Sequence, residues 1–258
     1  MSTGILGPKI RVGCRGRSKD RGESCGGVVT FERRERLIFE VLDKLRRLEL
    51  VLVGGHALNA YVPPRFSVDC DLVLRGEKTA LQIGKILKER EFKKVREGKT
   101  TPPGGKFVVY TRRVYGMRAN FDLLLEAITD RLSGASFEAK WIFERSKVRR
   151  VWARASPISF DIRTVDPEPL FIMKFLTARK QDIRDAFMLA QLDLNWGYIK
   201  SYLLGLPREV VVGGTKRCRD LVDSNEFKDA LRGVFGKVEE GAFERSKRRL
   251  MGFIENLR

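Results

Sequence analysis

Val51-Leu52-Val53-Gly54-Gly55-His56-Ala57-Leu58, followed by Arg65-Phe66-Ser67-Val68-Asp69-Cys70-Asp71-Leu72-Val73-Leu74, decides the fold. Leu50 to Val53 is apolar and β-branched, the pattern of a buried strand. Gly54 and Gly55 end that strand, because glycine turns sharply and lets a ligand approach where a Cβ would stand in the way. A short helix opening after such a turn presents free N–H groups, which suit a phosphate. The second run reads as another strand, with Asp69 and Asp71 on one face and Cys70 and Leu72 on the other.

Two carboxylates side by side repel and are costly to bury without a cation. Hard oxygen ligands suit Mg2+, above all when nucleotide phosphates complete its shell. Two such ions about 4 Å apart can activate an attacking oxygen and stabilise a leaving one. Taken singly, a double glycine is an ordinary turn and Asp-x-Asp an ordinary solvated strand face. Together, in this order and spacing, they read as a site for phosphoryl or nucleotidyl transfer.

Gly54-Gly55, a short helix and Arg65-Phe66-Ser67-x-Asp69-x-Asp71 together resemble the nucleotidyltransferase superfamily of the polymerase-β type. Within it the sequence is most similar to the AbiEii-like toxins and their archaeal relatives. Asn120-Phe121-Asp122-Leu123-Leu124 resembles the strand that brings a third carboxylate. Asp166-Pro167-Glu168-Pro169-Leu170, Lys174 and Arg179-Lys180-Gln181-Asp182-Ile183-Arg184-Asp185 resemble the later helical motif. The likeness runs from about Leu37 to Leu192. One departure stands out, since Gln181 occupies the place where the motif has Lys directly before its first Asp.

The resemblance implies transfer of a nucleoside monophosphate from an NTP to an acceptor hydroxyl, with release of pyrophosphate. It implies Asp69, Asp71 and Asp122 as catalytic metal ligands for Mg2+, two ions being expected. Asp122 would also help remove the acceptor proton. Gly54 and Gly55 would cradle the triphosphate, Ser67 would donate to a phosphate oxygen, and Lys174 would neutralise the triphosphate or pair with Asp182 or Asp185. Arg65 is open between a phosphate and a carboxylate partner. His56, the single histidine, is open between a nucleotide contact, a helix cap and a structural role.

The expected fold is α/β (α+β): a small mixed sheet with helices, followed by an α-helical region. The expected divisions are a flexible basic arm over 1–30, a nucleotidyltransferase domain over 31–165 and a helical domain over 166–258. Phe31 to Leu48 carries Leu37, Val41, Leu45 and Leu48 at helical spacing. Glu77 to Arg90 reads as a helix with Leu81, Ile83, Ile86 and Leu87 inward. Thr101 to Gly105 reads as a turn between strands. Phe107 to Tyr110 and Arg118 to Leu124 read as neighbouring strands, which would carry Asp122 to the Asp69/Asp71 strand. Lys147 to Arg154 and Ile158 to Arg163 read as a hairpin. Helices follow, broken at Gly205, Pro207 and Gly213-Gly214.

The chain of 258 residues has 51 Lys and Arg against 33 Asp and Glu, a formal charge of +18. A polyanionic partner is expected, RNA or transfer RNA before DNA. The candidate contacts are the arm (Arg11 to Arg21), Lys147-Val148-Arg149-Arg150 and Lys247-Arg248-Arg249. No apolar run is long enough to span a membrane and no secretory leader is legible, so a cytoplasmic protein with reduced cysteines is expected. Three function classes follow: an RNA-directed, toxin-like nucleotidyltransferase with a possible antitoxin partner; a transferase for a small hydroxylated acceptor such as an antibiotic, whose cleft should be acidic; and a non-catalytic RNA-binding relative.

Overall fold

The computed structural model describes residues 24–100, 105–131 and 133–257. Most of the basic arm and most of the turn expected at 101–105 lie outside the described residues.

Helix α1 spans Ser24–Leu45 and buries Ile38, Phe39, Val41, Leu42 and Leu45. It begins seven residues ahead of its expected start, running through Gly26 and Gly27. Strand β1 (Leu50–Val53) is buried at every residue and leads directly into the one-turn helix α2 (Gly54–Leu58). Then come β2 (Asp69–Leu74), α3 (Glu77–Glu89), β3 (Lys93–Lys99), β4 (Lys106–Val114) and β5 (Met117–Leu125). A small ribbon of β6 (Ala127–Thr129) and β7 (Ser136–Glu138) precedes α4 (Ala139–Glu144). The hairpin β8 (Ser146–Trp152) and β9 (Ser159–Val165) closes the sheet-forming part.

These strands make one seven-stranded mixed sheet in the order β3-β4-β5-β2-β1-β9-β8. β2 runs antiparallel to β1 and parallel to β5, so the Asp69/Asp71 strand and the Asp122 strand lie side by side at its centre. Six helices follow: α5 (Pro167–Thr177), α6 (Lys180–Leu189), α7 (Trp196–Leu204), α8 (Arg208–Val222), α9 (Phe227–Phe235) and α10 (Glu240–Glu255). No helix among the described residues is long and apolar enough to cross a membrane.

Three further features differ from the sequence reading. Gly213-Gly214 lies inside α8 rather than ending a helix. A Cβ at Gly214 would stand 2.6 Å from the Phe175 carbonyl oxygen, so this glycine lets α8 cross α5 at close range. Leu81 is 75% exposed, because it borders the groove between α3 and the β3–β4 edge instead of facing the core. Strand β3, Lys-Lys-Val-Arg-Glu-Gly-Lys, carries no apolar alternation, since as an outer strand it buries neither face.

Candidate active site

Strand register brings the catalytic candidates together. Asp71 is paired with Asp122 across the β2–β5 ladder, and Val53 with Asp71 across β1–β2. Register partners share a face of the sheet and lie about 5 Å apart. Asp69 is paired with Asn120 one step earlier. Its Oδ1 accepts from Asn120 Nδ2 at 2.7 Å, and Asn120 Oδ1 accepts from Thr111 Oγ1 at 2.8 Å. Asp69 is exposed, whereas Asp71 and Asp122 are half-buried.

Gly54 has φ +68°, and a Cβ there would stand 2.0 Å from Asp71 Oδ2. The glycine therefore has two functions: it takes the left-handed turn, and it makes room for the carboxylate. Gly55 serves only to make room. A Cβ on it would meet Ser67 Oγ at 2.6 Å and Arg65 Nη2 at 2.9 Å. Ser67 Oγ donates to the Asp69 carbonyl oxygen at 3.1 Å, which fixes the backbone entering β2.

Burial, followed by the charges of Asp122 and Asp69, pushes the Asp71 carboxyl up to about 7. Burial and Asp69 push Asp122 up to about 6. Asp122 Oδ1 is buried without a hydrogen-bond partner. A buried carboxylate oxygen with no donor, beside a second carboxylate, is a site a cation would satisfy. Among the described residues no three acidic, histidine or cysteine side chains converge as they stand to hold an ion. Asp69 lies near enough for its charge to raise both Asp71 and Asp122, while its Oδ1 accepts from Asn120. The Asp71–Asp122 pair fits a divalent cation, with Asp69 on the same face of β2 two residues before Asp71.

Lys174, on α5, is buried and donates to Asp182 at 2.7 Å, with Asp185 at 3.0 Å. Burial alone would lower its ammonium, but Asp185 and Asp182 outweigh that and hold it above its ordinary value. Asp185 is fully buried and receives a two-pronged contact from Arg65, Nε to Oδ1 at 2.7 Å and Nη2 to Oδ2 at 2.6 Å. Burial would raise Asp185, yet Lys174 and Arg65 hold it below the usual carboxylate range. Gln181 donates to Asp185 Oδ1 at 3.0 Å, so the residue that departs from the motif joins this cluster. Arg65, Asp185, Lys174 and Asp182 thus bind the loop before β2 to α5 and α6. Arg65 is resolved in favour of a carboxylate partner.

A cleft of about 380 Å³ opens over the carboxylate pair. Gly54, Asp71, Asp122, Lys174 and Asp182 line it, together with Arg96, Phe107 and Arg131, which the sequence reading passed over. His56 is fully buried, with its ring edge-on to Phe39. Burial, then Arg65 and Arg34, push it down to about 3, so it is a neutral core residue rather than a nucleotide contact.

The four arginines expected at a nucleic-acid rim do not line this cleft. Arg149 and Arg150 lie on the outer strand β8 and face Asp166 and Asp161. Arg249 donates to the carbonyls of Ala190, Gln191 and Leu192, satisfying orphan acceptors just past the end of α6. Arg248 is exposed on α10.

Gly54→Ala is expected to lower kcat/KM by roughly a hundredfold or more, because misplacing a reacting group by about 1 Å has that effect. Gly116→Ala is the control, since Gly116 also has positive φ but meets nothing within 4 Å. Near-normal transfer by Gly54→Ala would contradict the packing of Asp71 on Gly54.

A family model described as nucleotidyl transferase AbiEii toxin, type IV TA system, matches residues 36–254. No curated protein matches the sequence significantly. Among solved structures, a provisionally assigned nucleotidyltransferase from H. pylori is 13% identical, covering 87% of this chain and 93% of its own, with a TM-score of 0.48. JHP933 from Helicobacter pylori is 14% identical, covering 88% and 91%, with a TM-score of 0.43. A provisionally assigned nucleotidyltransferase from Thermotoga maritima is 16% identical, covering 54% and 79%, with a TM-score of 0.35. At such scores these structures bear on neither substrate nor mechanism.

Proposed function

The chain belongs to the AbiEii nucleotidyltransferase toxin family and is a nucleotidyltransferase, and from that premise we propose that it adds a nucleotide from an NTP to the 3′ hydroxyl of an RNA. The observation that carries this reading is the Asp71–Asp122 register pair, seated against Gly54 at the base of an open cleft.

Asp71 and Asp122 would hold Mg2+, joined by Asp69, and one or two ions there would polarise the phosphoryl oxygens and draw charge from the leaving pyrophosphate. Asp122 would take the acceptor proton. Its Oδ1 is buried with no hydrogen-bond partner of its own to compete for that proton. Gly54, on the cleft wall, would face the triphosphate, while Gly55, buried under Ser67 and Arg65, would keep the turn in place, and Ser67 holds the entry to β2. Lys174 faces the cleft beside this path, its charge shared with Asp182 and Asp185.

An RNA acceptor is supported by the net charge of +18, which favours a polyanion over a small cationic acceptor. A terminal hydroxyl is the part of an RNA that can enter a narrow cleft already holding an NTP. The contributions of Arg149, Arg150, Arg248 and Arg249 to holding that RNA are tested by salt dependence of binding in their alanine variants. The family's description as a toxin of a type IV system supports a cognate antitoxin acting in the same cytoplasm.

The test is end-labelling of RNA with free and with blocked 3′ hydroxyls, beside RNA binding across a salt series. Labelling confined to free ends, with binding that weakens steeply in salt, is expected. Equal labelling of blocked ends, or salt-independent binding, would overturn the RNA reading in favour of a small hydroxylated acceptor.

A further inference from the structure

The catalytic pair sits in a longer row. From the Gly54 end outward, register aligns Val53, Asp71, Asp122, Val109 and Arg96 across five strands. Arg96 therefore leaves the same face of the sheet as the two carboxylates, about 10 Å beyond Asp122, two strand spacings away. The neighbouring row carries Asp69, Asn120, Thr111 and Lys93, so a second cation follows the same edge.

Phe107 sets the position of two guanidiniums. A Cβ on its register partner Gly98 would meet the Phe107 ring at 3.0 Å, so this glycine leaves the ring room to lie across the outer strand. Arg96 lies over the ring at 5.2 Å from its centroid, and Arg131 at 5.4 Å. A guanidinium resting on an aromatic face keeps its donors directed outward and loses little entropy when it binds. Arg96 and Arg131 are exposed, and neither forms an ion pair among the described residues. Their basic neighbours in the cleft are already matched, Lys174 by Asp182 and Asp185, and Arg179 by Asp130.

The two ends of the row differ chemically. Gly54 and Lys174 flank Asp71, where the triphosphate is placed. Arg96 and Arg131 lie past Asp122, the side from which an acceptor hydroxyl must come. A neutral or cationic acceptor would gain nothing from two unpaired guanidiniums there. Forked donors at fixed spacing match the non-bridging oxygens of phosphodiesters.

We propose that Arg96 and Arg131, carried on the Phe107 ring, grip the phosphodiester backbone of a single-stranded RNA 3′ end next to its terminal hydroxyl. This rests on the RNA reading above and adds the residues that position the acceptor.

The test uses the full chain and a short single-stranded RNA with a free 3′ hydroxyl. Binding is measured across a salt series, and KM is measured separately for RNA and for NTP. Each of Arg96→Ala and Arg131→Ala should reduce the salt slope by about 0.7 and the double variant by about 1.4, the counterion release of one and two single-strand phosphate contacts. KM for RNA should rise roughly tenfold per variant, as for loss of one charge-assisted contact, while KM for NTP stays within about twofold. Arg96→Lys should recover part of the slope, because it keeps the charge and loses the fork. Arg47→Ala is the control, an exposed arginine ahead of β1 that does not line the cleft. An unchanged slope and RNA KM in the double variant, with wild-type transfer intact, overturns this assignment alone. A rise confined to the NTP KM overturns it in favour of triphosphate binding. If the wild type transfers nothing to RNA, the RNA reading fails and this assignment fails with it.

Discussion

Asp71→Asn should cost nucleotidyl transfer roughly a thousandfold or more, since it removes charge where a cation and a developing negative charge must both be managed. The fold should survive the change. Asp71 is half-buried, and its carboxyl is pushed up to about 7 by burial and by Asp122 and Asp69. A carboxyl whose folded pKa lies above its unfolded value of 3.8 keeps a proton in the folded chain that the unfolded chain releases. Stability of the metal-free protein therefore falls as pH rises from about 4 towards 7, and that loss is complete above the folded pKa. Asp122, pushed up to about 6, acts in the same direction over a narrower window. Melting temperatures in chelator should accordingly fall between pH 5 and pH 8 in the wild type and fall less in Asp71→Asn. Added Mg2+ should stabilise the wild type more at pH 8 than at pH 5, because it binds the ionised pair. A variant that keeps a tenth of wild-type transfer, or a wild type whose stability rises over that pH range, would contradict this site.

Lys174→Ala should have the largest effect on stability. It leaves Asp185, fully buried, with only Arg65 and Gln181, and leaves Asp182 without its ammonium. Removing one member of a buried ion cluster costs about 3–5 kcal/mol. At about 2–4 °C per kcal/mol for a chain of this size, the melting temperature should drop by roughly 10 °C. The ammonium also lines the cleft, so the apparent Kd for NTP should rise as well. Asp182→Asn separates the two roles: it keeps the ammonium and removes one of its carboxylate partners. If Lys174 serves the triphosphate, this variant should bind NTP at least as tightly as the wild type. Unchanged NTP binding in Lys174→Ala with the loss of stability intact would make Lys174 a structural residue alone.

The sequence made the centre of the molecule legible and left its edge obscure. Val51 to Gly55 and Asp69 to Leu74 announce themselves because burial on both faces and two carboxylates two residues apart are local patterns. Asp122 was readable for the same reason: a charge inside Phe121 to Leu125 has no apolar explanation. Strand β3 was not readable, because an outer strand with both faces in water leaves no periodicity. Its invisibility hid Arg96, and with it the acceptor side of the cleft. The pairing of Lys174 with Asp182 and Asp185 was one of two open alternatives, and only tertiary structure decides such a contact. The clusters at Lys147 to Arg150 and Lys247 to Arg249 look alike in sequence, yet Arg150 faces Asp161 while Arg249 satisfies carbonyls just past α6. Charge density along a chain does not reveal which cations are already matched.

Transfer of the α-phosphoryl group, with its nucleoside, is the chemistry on which everything above depends. The protein should be incubated with RNA bearing a free 3′ hydroxyl and with NTPs labelled either at the α or at the γ phosphate. The account predicts that label from the α position enters the RNA, that label from the γ position leaves as pyrophosphate, and that Asp71→Asn does neither. Label from the γ position appearing in RNA would mean phosphoryl rather than nucleotidyl transfer, and would contradict it.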